Sequence, residues 1–298
     1  MAERPAKRLS SGQPSATAEI NAQMRAADAT LSPGHRLVGD TYARYFVSNP
    51  RYRLLRLTPK VALAGLVGFD RLFGGMLAEI LLRGRYVDEV LADRYFRADV
   101  RQSVLIGAGY DATALRHPVL RDMRWFEVDH PATQQAKRAA LRRIGITADN
   151  VVFAAADLGR DPLLDRLKET GFDTAEPSLV TWLGVSYYLE YEAFRSALAD
   201  IAEVSAPGST LVFDYLDASV INGTTHFRGA RRAARSVQRR GEPYVLGMSE
   251  EEAFQAAEEA GFERVEALRV TDLVGRYGGR RPYCRPDDYM GVVTVRRR

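Results

Sequence analysis

Apolar positions recur along this chain with two periods, and the change from one to the other divides it. Up to about residue 96 they fall three and four apart, the spacing that aligns side chains on one helical face. This predicts helices over 18–30, 42–48, 61–73 and 76–96. From Ser103 onward, short apolar runs of strand length alternate with amphipathic stretches. Strands are predicted at 103–106, 124–128, 151–155, 179–182, 210–215, 264–268 and 291–295, with helices at 131–144, 161–170, 191–205 and 249–260. Pro207 and Gly208 stop one helix directly before a strand. Such alternation implies parallel strands joined by right-handed crossovers. Between the last two strands lies only an irregular Gly- and Arg-rich stretch, 275–285, so that pair is expected to be antiparallel. The expected fold is α/β: a doubly wound, mostly parallel sheet behind a helical N-terminal region.

Composition narrows this. A chain of 298 residues suits one large α/β domain or a core with an appendage. No run of about 18 uninterrupted apolar residues occurs, so no membrane span is expected. The nearest stretch, 61–82, is broken by Asp70, Arg71 and Glu79. The first fifteen or so residues are rich in Ser, Pro, Lys and Arg; a disordered tail over 1–17 is expected rather than a secretory signal. Cys284 is the only cysteine, which excludes an intramolecular disulfide and fits a reducing cytoplasm. Net charge is +4, but the basic residues are scattered among nearly as many acids. The only lysines are Lys7, Lys60, Lys137 and Lys168, an arginine bias that reads as codon composition. Nucleic acid is therefore not an expected partner.

Candidate chemistry begins where the first strand meets a glycine turn, Val104-Leu105-Ile106-Gly107-Ala108-Gly109-Tyr110-Asp111. Gly107 and Gly109 let the backbone turn tightly and approach a ligand. With Ala112 the turn completes G-x-G-x-x-A, so a nicotinamide-dependent oxidoreductase has to be weighed. Asp111 argues against it: a pyrophosphate wants a helix N-terminus free of negative charge. S-adenosylmethionine carries no phosphate, but a sulfonium and an ammonium. The alternative for Asp111 is a plain helix cap.

Ligands of doubly wound folds lie across the carboxyl ends of the strands, so acids there are candidates. Asp129, ending the second strand, can accept two hydrogen bonds from a ribose diol, with Glu127 in reserve; the alternative is a cap for the helix opening at Pro131. Asp157, ending the third strand, can accept from an adenine amino group while Leu158 covers the ring; the alternative is a plain loop acid.

Together these residues resemble the leucine carboxyl methyltransferase family, a branch of the class I S-adenosylmethionine-dependent methyltransferases. The resemblance runs from about Ala18 onward. It is most specific at Ile106–Asp111, at Phe126-Glu127-Val128-Asp129-His130-Pro131 with Lys137 following, and at Trp182-Leu183-Gly184-Val185-Ser186-Tyr187-Tyr188-Leu189. Gly241-Glu242-Pro243 and Arg276-Tyr277 also look like the family. The resemblance implies a seven-stranded sheet with an antiparallel last strand, under an N-terminal helical cap over 18–100. A methyltransferase domain over 101–298 would carry a lid at 216–248. It also implies that basic residues of the cap, matched here by Arg25 and Arg83, hold the methionine carboxylate; arginine's planar fork suits that task. One departure stands out. Many members carry a glutamate where this chain has Leu183, which argues against the eukaryotic role of methylating a protein's C-terminal leucine.

The expected activity is methyl transfer from S-adenosylmethionine to a carboxylate or hydroxyl of a small metabolite, without a metal. No compelling base is legible; His226, Tyr187 and Tyr188 are as readily packing residues. The five arginines at 228, 231, 232, 235 and 239 share one helical face, read first as solvated. The 61–82 stretch is apolar enough to line an acceptor pocket or lie against a membrane, with ordinary packing the default. Besides the methyltransferase, an oxidoreductase and a non-catalytic cofactor-binding protein remain open.

Overall fold

The computed structural model describes residues 14–298 apart from 49, 51, 52, 55, 56, 99, 121, 158–160 and 280. Three helices come first: α1 (Ala16–Thr30), α2 (Pro59–Phe73) and α3 (Met76–Ala98). The Ser15 hydroxyl caps α1 by accepting from Ala18 N. Of the tail expected over 1–17, residues 1–13 lie outside the described residues, whereas Ala16 and Thr17 already form the first turn of α1. Thr58 caps α2, with Pro59 in the first turn where its missing N–H costs nothing. Gly74, at φ 60°, ends that helix, and the chain bends by 108° into α3. Among the described residues no single helix is long and apolar enough to cross a membrane.

Then follow β1 (Gln102–Ile106), α4 (Thr113–Arg116), β2 (Arg124–Asp129), α5 (Pro131–Arg143), β3 (Val151–Ala155), α6 (Leu163–Glu169), β4 (Ser178–Trp182) and α7 (Tyr191–Val204). The last third holds β5 (Thr210–Leu216), α8 (Ala218–Ile221), α9 (Arg228–Arg239), α10 (Glu250–Glu259), β6 (Phe262–Arg269), α11 (Val270–Leu273) and β7 (Met290–Arg297). One seven-stranded sheet results, in the order β3-β2-β1-β4-β5-β7-β6. Neighbours from β3 to β5 pair in parallel, and β7 runs antiparallel to both β5 and β6.

Period-two alternation builds the two faces. Val104, Phe126, Val180 and Phe213 pack under α6, α7 and α10, while Leu105, Trp125, Leu179 and Val212 join the core shared with α1, α2 and α3. Helix α3 is pinned to the last two strands through Tyr86, whose hydroxyl lies 2.5 Å from Thr294 Oγ1 of β7 and donates to Glu266 of β6 at 3.1 Å. Two expectations need correction. The helix predicted at 42–48 is a single turn, Ala43–Tyr45, opened by Asp40 Oδ1 accepting from Tyr42 N and Ala43 N. The stretch read as loop from 275 is helical at its start: α11 runs into a wide turn at Val274–Gly278, anchored by buried Val270 and Leu273. Its helical part was too short to leave a periodic signal.

Candidate active site

Strand order reverses between β1 and β4, and a crevice opens there at the strands' carboxyl ends. It holds a cavity of about 470 Å3, walled by the glycine loop, by Asp129, Asp157 and Leu183, and by Arg25 of α1 and Arg83 of α3. Gly107 and Gly109 both take positive φ, 68° and 51°. A Cβ on Gly107 would stand 2.3 Å from Val185 Cγ2, so only glycine lets the loop approach that closely. Tyr110 stacks on Phe46 at 5.4 Å between ring centroids, fastening the N-terminal helical region onto the loop.

Asp129 binds the loop from the other side. Its carboxylate accepts from Gly109 N and, at 2.6 Å, from His130 N. Burial nevertheless raises its pKa, against the lowering pull of those two amides. It does not cap α5; the cap is the His130 ring, which accepts from Ala132 N. Glu127, the reserve for a ribose, is not among the residues that wall the cavity. It is buried in an ion pair with Lys137 Nζ at 2.5 Å, which explains why Lys137 follows that motif. Asp157 stands in the wall, its backbone N–H given to Asp161 Oδ2; Leu158 lies outside the described residues.

Asp111 is a correction in part. It accepts at 2.7 Å from the N–H of Thr113, the first residue of α4, a helix of only four residues whose N-cap position is Ala112. Burial alone would raise its pKa, but Arg25, Arg116 and Lys137 hold it below the ordinary value. With three cations around it, bare repulsion of an anion is not what it provides. Its carboxylate takes a helix N–H that a phosphate would need.

The two arginines are held differently. Arg25 donates Nε to Asp40 Oδ2 at 3.0 Å and Nη2 to the carbonyl of Tyr110 at 2.6 Å. Arg83 is buried, and its Nη1 lies 2.7 Å from Glu79 Oε1 and 2.6 Å from Asp214 Oδ2. Asp214, in β5, also accepts from Gly184 N at 2.8 Å, tying the β4 loop to the same cluster. Burial drives Glu79 up to about 7 despite Arg83, with Asp214 adding to the rise.

Arg83, Ile80 and Tyr188 also wall a second, smaller compartment of about 40 Å3 on the inner side. Its lining is aromatic and apolar: Phe69, Phe73, Tyr187, Tyr188, Tyr244 and Met290. The three tyrosine rings touch one another, with centroids 4.9–5.6 Å apart. Among the described residues Glu79 is the only carboxyl in that wall. Over the cavity, residues 241–243 of the chain meet the start of α1, where the Thr17 hydroxyl donates to Glu242.

Sequence reasoning missed Glu79 and Asp214. Each had a signal: one acid inside an apolar run, Met76–Leu82 or Thr210–Leu216. His226 is exposed and outside both compartments, and the five arginines of α9 are all exposed.

A doubly wound sheet with an antiparallel β7 and a crevice over β1, β2 and β4 is the class I methyltransferase fold. A methyltransferase structure from Thermobifida fusca YX, itself provisionally named, overlays with a TM-score of 0.61 over 100% of both chains at 17% identity. A DUF574 family protein from Streptomyces avermitilis MA-4680 gives 0.59 over 91% of this chain and 100% of its own, at 18% identity. The leucine carboxyl methyltransferase family profile matches residues 18–202. The chain belongs to that family. YktD of Bacillus subtilis (strain 168), provisionally named an S-adenosyl-L-methionine-dependent methyltransferase, is 30% identical over 65% of this chain and 64% of its own length. A similarly named protein of Mycobacterium avium (strain 104) is 32% identical over 70% of this chain and 69% of its own. The chain thus spans just under two thirds of the Bacillus relative, and 45% of a Mycobacterium bovis one.

Proposed function

We propose that this chain transfers the methyl group of S-adenosylmethionine to a carboxylate or hydroxyl of a small molecule. The supporting observation is the pair of compartments that meet at Arg83 and Tyr188: a large one over the glycine loop, and a small aromatic one beside it. The donor set suits the cofactor. Asp129 stands where two ribose hydroxyls can donate to it, and Asp157 stands at the adenine end of the cavity wall. Arg83 and, less centrally, Arg25 face the methionine carboxylate. When bound, S-adenosylmethionine supplies a methyl group already activated by the sulfonium charge. The residues then need only align the acceptor and exclude water. The tyrosine trio does both by shaping the inner compartment. An acceptor carboxylate arrives ionised and needs no base, whereas a hydroxyl must shed a proton in a wall whose one carboxyl is tied to Arg83. That asymmetry favours a carboxylate. The departure at Leu183 favours a metabolite over a protein terminus.

Calorimetric titration with S-adenosylmethionine and with NADH tests the reading. Binding of the first and none of the second at millimolar concentration is expected. Micromolar binding of NADH overturns it. Formation of S-adenosylhomocysteine with a carboxylate library excludes a merely binding role.

A further inference from the structure

Among the described residues nothing covers one side of helix α2. Its buried positions are Ala62, Leu66 and Asp70. On the opposite side Val61, Ala64, Gly68 and Leu72 are all exposed, at the three- and four-residue steps that mark one helical face, and Leu57, just ahead of the N-cap, is exposed too. Leu57 is 67% exposed, Val61 41% and Leu72 48%, and Leu54, just ahead of the helix, is 59% exposed. Single exposed apolar residues are ordinary; three leucines and a valine on one short helix and the segment just ahead of it are not.

Beside this stripe packs α9, whose buried side is Gly229, Ala230, Ala233 and Val237. Its outer side carries Arg228, Arg231, Arg232, Arg235 and Arg239, followed by Arg240, all exposed. Arg232 Nη1 reaches the carbonyl of Leu72 at 3.3 Å, so cations adjoin the end of the apolar stripe. The α2 region adds Arg53, Lys60 and Arg71, and its one acid, Asp70, is buried. Among the described residues none of these nine cations is in an ion pair, and α9 contains no acid. The whole chain carries a net +4, so these two helices concentrate more positive charge than the entire molecule.

We infer that the α2–α9 face docks on an anionic lipid bilayer, with Leu57, Val61 and Leu72 entering the interface and the arginines meeting lipid headgroups. A helix with an apolar stripe and flanking cations is what lies in a membrane interface plane, and each Lys or Arg near such a surface adds attraction. Nucleic acid would account for the arginines but leave the exposed leucines without a role. The inner compartment sits directly beneath, lined by Phe69 and Phe73 of α2 and by Ser236 and Val237 of α9, with Arg240 at its edge. Docking this way holds that compartment against the lipid.

Vesicle flotation with the full chain tests the inference. Phosphatidylcholine vesicles containing about a third phosphatidylglycerol should bind it, and pure phosphatidylcholine should not. Arg231→Glu, Arg235→Glu and Arg239→Glu together should weaken binding roughly a hundredfold. Leu57→Ser with Leu72→Ser should weaken it about tenfold at unchanged charge. Circular dichroism and S-adenosylhomocysteine titration should match the parent for both variants. Failure to float with anionic vesicles overturns the inference. So does unaltered vesicle binding by the leucine variant, which reduces the face to a general anion surface. So does duplex RNA binding that displaces the vesicles and ignores the leucine changes.

Discussion

At the glycine-loop wall of the cavity the carboxylate anchors are near in sequence, or one strand away, and hold backbone groups: Asp129 holds Gly109 N and His130 N, and Asp111 holds Thr113 N. At the α3 wall the anchors are side-chain charges from distant segments, with Arg83 joined to Asp214 across 131 residues. The first wall is fixed by local geometry and tolerates removal of one charge. The second is a buried cluster in which two carboxylates share one guanidinium, so each member depends on the others.

That contrast fixes the size and kind of each expected loss. Asp214→Ala leaves Arg83 short of a partner and Gly184 N without an acceptor, and should cost about 3–5 kcal/mol of stability by chemical denaturation. A loss under about 1 kcal/mol would show that the two walls are alike. Asp129→Ala should leave the fold nearly intact yet weaken S-adenosylhomocysteine binding by roughly ten- to a hundredfold, since a charge-assisted hydrogen bond is worth about 1.5–3 kcal/mol. Calorimetric affinity unchanged in the folded variant would remove it from the ribose site.

The third test uses pH. Burial lifts Glu79 from its ordinary 4.5 to about 7, so the native state holds a proton that the unfolded chain has already lost. Its contribution to stability is complete below 4.5 and is lost as pH rises through about 7. A methionine carboxylate on Arg83 would be a third negative group around one cation, favouring protonated Glu79. Affinity for S-adenosylhomocysteine should therefore fall as pH rises through about 7, by at most about tenfold per unit for one proton. 5′-Methylthioadenosine, which lacks that carboxylate, should show no such slope, and Glu79→Gln should abolish it. An equal slope for both ligands separates Arg83 from the carboxylate.

The smallest effect expected is in amide exchange. S-adenosylhomocysteine should protect the backbone around Arg25 and Arg83, and 5′-methylthioadenosine should not. Arg25, already committed to Asp40 and Tyr110, should respond less than Arg83. Equal protection by both ligands would assign both arginines to packing alone.

The same contrast explains what could be read beforehand. Strands β1 to β5 end within one residue of expectation, because alternation and glycine or proline stops are local signals. Gly107, Gly109, Asp129 and Asp157 were legible because a strand's carboxyl end places its next residues at the crevice. Glu79 and Asp214 were not, since only the folded chain brings α3 against β5. Glu127 misled for a related reason: it sits two residues before Asp129, deeper in the strand, where Lys137 takes its carboxylate in an ion pair.

Strand β7 lies between β5 and β6 and pairs antiparallel with both. Strand β6 therefore has no sheet partner until a segment made after it slides into place. Its register is set by β7 alone, over Phe262↔Arg297 to Arg269↔Gly291, with an irregularity at Arg264/Glu266. On the ribosome the parallel half can assemble first, while β6 waits with an open edge that invites pairing with another chain. The charges that alternate along it, Glu263, Arg264, Glu266 and Arg269, are what a waiting edge needs to stay unpaired.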